Sequence, residues 1–104
     1  MIYLDDLNLQ RVRSILREKL PNTEVRIFGS RVKGNIKPHS DIDLCLMNDS
    51  PLSFEKIALI KEAFSESDLP VRVDLVEWIK VAPEFQAIIQ QNSEIISEPP
   101  IHSQ

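Results

Sequence analysis

Apolar residues recur at Leu9, Val12, Leu16 and Leu20, the spacing of one helix face, and Pro21 stops the run. The pattern predicts a helix from about Asp6 to Leu20. From Thr23 to Phe28 the period changes to two: Val25 and Ile27 are apolar against Glu24 and Arg26, which predicts a strand. Gly29 to Ser40 reads as a turn-rich connection with one helical turn around Arg31 to Lys33. Asp41 to Met47 alternates more cleanly, with Ile42, Leu44 and Leu46 on one side and Asp41, Asp43 and Cys45 on the other. Ser50-Pro51 is a suitable N-cap and first helical position, and Phe54, Ile57, Ala58 and Phe64 supply the apolar stripe of a second long helix. Val71, Val73 and Leu75 predict a third strand with Arg72 and Asp74 on its opposite face. Ala82-Pro83 opens a last helix through about Gln91, with Phe85, Ile88 and Ile89 directed inward. The order αβ(α)βαβα predicts an α/β domain of two or three layers around a small sheet. Residues 1–96 are expected to form one domain and 97–104 (SEPPIHSQ) a disordered tail. There is no internal repeat and no linker.

Composition narrows the class. A chain of 104 residues with 42% hydrophobic and 27% charged residues can close one modest core. A net charge of −4 argues against binding nucleic acid directly through a basic face. It leaves room for a small basic pocket, since Arg26, Arg31, Lys33 and Lys37 lie close together. Cys45 is the only cysteine, which excludes an intrachain disulfide and a cysteine-based zinc cluster. The acidic start MIYLDDLNL lacks the features of a signal peptide, and no apolar run is long enough to span a bilayer. A soluble cytoplasmic domain without membrane contact is expected.

The candidate chemistry sits between Gly29 and Leu44. Both glycines of the chain, Gly29 and Gly34, fall just ahead of the strand that carries aspartate at alternate positions. Asp41 and Asp43 share a strand face, and two carboxylates that close need a cation to stay ionised together. Hard oxygen donors of this kind suit Mg²⁺, which takes one or two carboxylates plus substrate phosphates. Asp74 is a third carboxylate on the polar face of another strand. Were the two strands neighbours, three carboxylates would converge, enough for two ions and in-line phosphoryl transfer. The glycines are expected to clear a path for phosphate, because without a Cβ the backbone N–H groups can come close. Ser30 adds a hydroxyl, and Arg31, Lys33 and Lys37 could offset triphosphate charge. Other motifs fail: Asn35-Ile36 stands where a Walker A loop needs Lys-Ser/Thr, no GxGxxG occurs, and Cys45 and Leu46 break an EF-hand pattern.

Gly29-Ser30, ten residues, then Asp41-Ile42-Asp43 resembles the signature of the DNA-polymerase-β-like nucleotidyltransferase superfamily. The form GSRVKG…SDIDL is especially similar to its minimal, stand-alone bacterial members, and FSESDLPVRVDLVEW resembles their third-carboxylate region. The likeness spans Leu7 to Asn92. It implies a nucleotidyltransferase (polymerase-β palm-like) fold, a small mixed sheet flanked by helices. It implies transfer of a nucleoside monophosphate from a nucleoside triphosphate, by family habit ATP, to a hydroxyl, with release of pyrophosphate. By position, Gly29 and Ser30 would hold the β- and γ-phosphates, with Arg31 and Ser40 beside them in the nucleotide-binding set. Asp41 and Asp43 would bridge two Mg²⁺ ions, and Asp74 would bind the catalytic one and help deprotonate the acceptor. Many minimal members are encoded beside a small helical HEPN ribonuclease toxin and act as its antitoxin, some by attaching AMP to one of its tyrosines. The implied partner is therefore a HEPN-type toxin, held in a hetero-oligomer.

Plainer roles stand beside these. Ser40 can cap the entry to the following strand, His39 next to Pro38 can simply be exposed, and Cys45 can be packing. Trp78, the single tryptophan, can sit at the core edge or anchor a partner. The alternative function is a non-catalytic binding module that neutralises a helical partner by masking it through Trp78, the last helix or the tail. A small-molecule acceptor is a weaker reading, because no additional acceptor domain is evident.

Overall fold

Asp5 opens the first helix: its carboxylate accepts from the Asn8 backbone N–H at 2.8 Å, and α1 runs Asp6–Lys19. This is a computed structural model, and it describes residues 1–37 and 39–100. The chain continues through β1 (Val25–Phe28), the short α2 (Ser30–Lys33), β2 (Ile42–Leu46), α3 (Phe54–Ser65) and β3 (Val73–Glu77). A single 3₁₀ turn (Trp78–Lys80), α4 (Pro83–Gln91) and β4 (Ser93–Ser97) complete it.

The four strands form one mixed sheet in the order β3-β2-β1-β4. β1 is antiparallel to both β2 and β4, whereas β2 and β3 are parallel. A parallel pair cannot be joined by a hairpin, and α3 is the crossover that returns the chain to the same end of the sheet. Val25, Ile27, Ile42, Leu44 and Leu46 project from one face against Val12 and Leu16 of α1 and Ile60 and Phe64 of α3, with Ile96 of β4 beside them. Truncating Leu16 or Ile60, both fully buried, to alanine would cost about 2–5 kcal/mol. Because strand side chains alternate, closing this face leaves Asp43, Cys45 and Asp74 on the other.

Three expectations need correction. Ser50-Pro51 does not start α3; Ser53 does, accepting from the Lys56 N–H at 3.1 Å. The Leu52 N–H is committed to Glu77 Oε1 at 2.8 Å, which holds this loop out of the helix. Phe54 is therefore 86% exposed, Ala58 is exposed as well, and the packed stripe is Ile57, Ile60 and Phe64. On α4 only Ile89 is buried; Phe85 and Ile88 stay partly open, although the Phe85 ring meets Phe28 edge-on with centroids 5.6 Å apart.

The third is β4, which the hydrophobic pattern did not predict. In SEIIS only Ile96 is buried, and the strand exists because β1 has a free edge to pair with and Arg13 Nε donates to Ile96 O at 2.9 Å. Ser97, the first residue of the expected disordered tail, closes this strand, and residues 101–104 of that tail lie outside the described residues.

Candidate active site

The sheet brings the three aspartates together. β2 and β3 are neighbours with Asp43 directly opposite Asp74, and Asp41 stands two residues before Asp43, just ahead of β2. The Ile42 N–H donates to Arg72 O at 2.9 Å, fixing the entry of β2 against the entry of β3. The strand adjacency that spacing alone left open is thus present.

A cation already sits among them. One nitrogen of Arg72, Nη2, donates to Asp41 Oδ2 at 3.3 Å and to Asp74 Oδ2 at 3.2 Å. The two carboxylates therefore lie within one cation's reach of each other. Asp43, deeper in the cluster, has its pKa raised by burial first and then by the charges of Asp74 and Asp41, with Arg72 opposing. Among the described residues no three His, Cys, Asp or Glu side chains close on one point as a ready metal cage. In kind, the donor set fits a divalent cation: hard carboxylate oxygens, partly exposed, holding a positive group between them.

Gly29 follows β1 with φ 78° and ψ −149°, a region essentially reserved for glycine. A Cβ there would stand 2.5 Å from Asp43 Oδ2. The backbone that leads into Ser30 thus lies directly on the acid cluster, which is the close approach expected of it. Gly34 has a different task. It ends α2 in the left-handed conformation, φ 90°, and a Cβ would press on the Tyr3 ring at 3.1 Å. Of the two glycines, Gly29 lies against the acid cluster and Gly34 lies against Tyr3 at the end of α2.

Arg31 is buried, its Nη1 donating to Tyr3 O at 3.3 Å and its Nη2 to Ser40 O at 2.9 Å. The Tyr3 N–H in turn donates to Arg31 O at 2.6 Å, so the N-terminal segment straps α2 to the loop before β2. This makes Arg31 a brace of the loop between β1 and β2. The Ser40 hydroxyl accepts from the Lys37 N–H at 2.8 Å, closing a local turn rather than capping β2. Lys33, Lys37 and His39 are exposed. Cys45 is fully buried and its thiol is pushed up to about 11, by burial first, with Arg26 opposing; it is packing. Trp78 is half-buried in the 3₁₀ turn, its carbonyl accepting from Gln86 Nε2 at 2.9 Å.

Two features escaped the sequence reading. Arg72 was visible as the residue sharing the face of Asp74, but a lone alternating arginine carries no sign of a bridge to Asp41, which is remote in sequence. Glu77, at the far end of β3, is buried and accepts from Asn48 Nδ2 (2.8 Å), the Leu52 N–H (2.8 Å) and Lys80 Nζ (3.0 Å). Burial raises its pKa, but the bonds from Leu52, Lys80 and Asn48 together outweigh that and hold it below the ordinary value.

Comparison with known proteins gives the family. The nucleotidyltransferase domain family matches residues 9–96, and the chain belongs to that family. The Haemophilus influenzae protein named "Probable protein adenylyltransferase MntA" is 46% identical over 87 residues, covering 84% of this chain and 76% of that protein. Among solved structures, a toxin–antitoxin complex with AMP-PNP superposes with a TM-score of 0.73 at 21% identity, covering 88% of this chain and 73% of that one. The complex of a tri-AMPylated Shewanella oneidensis HEPN toxin with its MNT antitoxin gives 0.68 at 18% identity, covering 91% and 73%. At these identities the two structures speak for the fold. No helix among the described residues is long and apolar enough to cross a membrane.

Proposed function

We infer that this chain is a protein adenylyltransferase of the MntA type, which moves AMP from ATP to a hydroxyl of a HEPN-type toxin and so acts as its antitoxin. The observation that carries the reading is that Asp43 stands opposite Asp74, with Asp41 bridged to Asp74 through Arg72, beside the Gly29-Ser30 turn. Sequence identity of 46% to the Haemophilus influenzae protein supports the acceptor class.

The residues divide the work as follows. The Ser30 hydroxyl and the backbone N–H groups after Gly29 bind the β- and γ-phosphates, which Gly29 allows to lie close to Asp43. Asp41 and Asp43 would hold two Mg²⁺ ions and Asp74 one of them. Bound there, the ions would offset the charge of the triphosphate and ease ionisation of the acceptor. The Asp74 carboxylate would take the proton of the acceptor hydroxyl. The hydroxyl oxygen bonds to the α-phosphorus as the bond from the α-phosphorus to the α–β bridging oxygen breaks. The products are the AMP ester of the partner, pyrophosphate and the released proton. Arg31 and Ser40 act at one remove, bracing the loop that carries Ser30. Dependence on ATP agrees with a cytoplasmic site.

The direct test follows the label. With a HEPN-type partner and Mg²⁺, ATP labelled at the α-phosphate should mark the partner, and ATP labelled at the γ-phosphate should leave all label in pyrophosphate. Partner labelling from the γ-position would make the chain a kinase, and no labelling from either would contradict transfer.

A further inference from the structure

We propose that Arg72 is a built-in counter-ion of the carboxylate site, which competes with the divalent cation for Asp41 and Asp74 and yields when nucleotide arrives. The inference rests on the metal-binding reading of these aspartates and adds a residue to which that reading gives no role.

Three observations carry it. First, the contact is divided: one guanidinium nitrogen donates to two carboxylates, 3.3 Å to Asp41 Oδ2 just ahead of β2 and 3.2 Å to Asp74 Oδ2 in β3. An arginine placed only to dress an edge strand would pair within its own strand, and this one reaches across to the entry of β2. Second, its backbone is fixed where the bridge needs it, since Arg72 O accepts the Ile42 N–H at 2.9 Å. Third, the side chain is 73% exposed, so it can leave without a cavity or a repacking cost. Exposed pairs are weak, and such a bridge exchanges readily.

The chemistry sets the direction of the exchange. A cation placed on Asp41 and Asp74 must displace Arg72 or share oxygens with it. Without nucleotide the released guanidinium gains only water. With a triphosphate in the site it gains phosphate oxygens, for which its fork is well suited. Arg72 would therefore hold bare metal affinity low and tie metal loading to nucleotide binding.

The test is binding of Mn²⁺ alone to the purified chain, read as free Mn²⁺ by electron paramagnetic resonance, with thermal unfolding to verify each fold. Arg72→Gln should bind Mn²⁺ about fivefold more tightly than wild type, the size of two exposed ion pairs. Lys61→Gln removes a positive charge across the groove of about 520 Å³ that Arg72 and Asp74 also line, but breaks no bond to the aspartates, and should change affinity less than twofold. Addition of a non-hydrolysable ATP analogue should shrink the difference between wild type and Arg72→Gln. Equal tightening by both variants would reduce Arg72 to general charge and overturn the proposal. Unchanged or weaker binding by Arg72→Gln would overturn it too, as would a difference that persists undiminished with the analogue. Failure of both wild type and Arg72→Gln to bind Mn²⁺ would sink the metal reading itself, an outcome distinct from these.

Discussion

β3 is five residues long and carries an acid near each end, Asp74 and Glu77, whose surroundings could hardly differ more. Glu77 projects to the core side, where a backbone N–H, an amide and a lysine meet it and hold its pKa down. Asp74 projects to the open side, where its neighbours are two more aspartates and one exposed arginine, and the deepest of the three, Asp43, has its pKa raised. One end of the strand is satisfied by the protein alone and fastens a loop. The other is left short of positive charge, a state the fold has no structural need for and a charged ligand can relieve.

The largest way to break this contrast is at the open end. Asp74→Asn should slow AMP transfer by a factor on the order of 10²–10⁴, measured by single-turnover labelling of the partner, because the variant keeps the shape but cannot take a proton. Gly29→Ala should come next. It forces a side chain into a glycine-only backbone region and against Asp43, so urea unfolding should show a loss of about 1–3 kcal/mol, with transfer impaired even when folded. Glu77→Ala should cost about 2–3 kcal/mol in urea by leaving buried donors unmet, while transfer per folded molecule stays near wild type.

The smallest effect sharpens the contrast, since the two ends should respond to charge removal with opposite signs. Asp43→Asn should raise the stability of the metal-free chain, by less than about 1 kcal/mol, and should gain nothing from added Mg²⁺, which is expected to stabilise the wild type. The pH dependences oppose each other as well. Glu77, with its folded pKa depressed, contributes stability that is present above its unfolded value and lost as pH falls through the folded one. Asp43, with its folded pKa raised, favours the fold most below its unfolded value of 3.8 and loses that contribution as pH rises through the folded one. Denaturation across pH 3–7 of the Glu77→Ala and Asp43→Asn variants, each against wild type, should separate the two.

The same contrast explains what could be read from the sequence. The shared face of Asp43 and Asp74 was legible because strand alternation fixes which side chains lie together, and the Gly29-Ser30 turn was legible as the break that ends β1. Helix α1 was legible for a similar reason: Val12 and Leu16 meet a single core at regular spacing. What was not legible depended on partners distant in the chain. Pairing with β1 makes β4 a strand, a carboxylate 25 residues away at Glu77 fixes Leu52 outside α3, and the carbonyls of Tyr3 and Ser40 turn Arg31 inward. Arg72 belongs to that group: its face was evident, its second carboxylate was not.

The central claim is that the aspartates of this open face transfer AMP to a protein. It is tested most directly by the intact mass of a HEPN-type partner after incubation with this chain, ATP and Mg²⁺, beside the Asp41→Asn/Asp43→Asn variant. The account predicts a partner heavier by one or more AMP units with the wild type and unchanged with the variant. A partner of unaltered mass that is nonetheless neutralised by both proteins would contradict it and leave a masking protein in place of an enzyme.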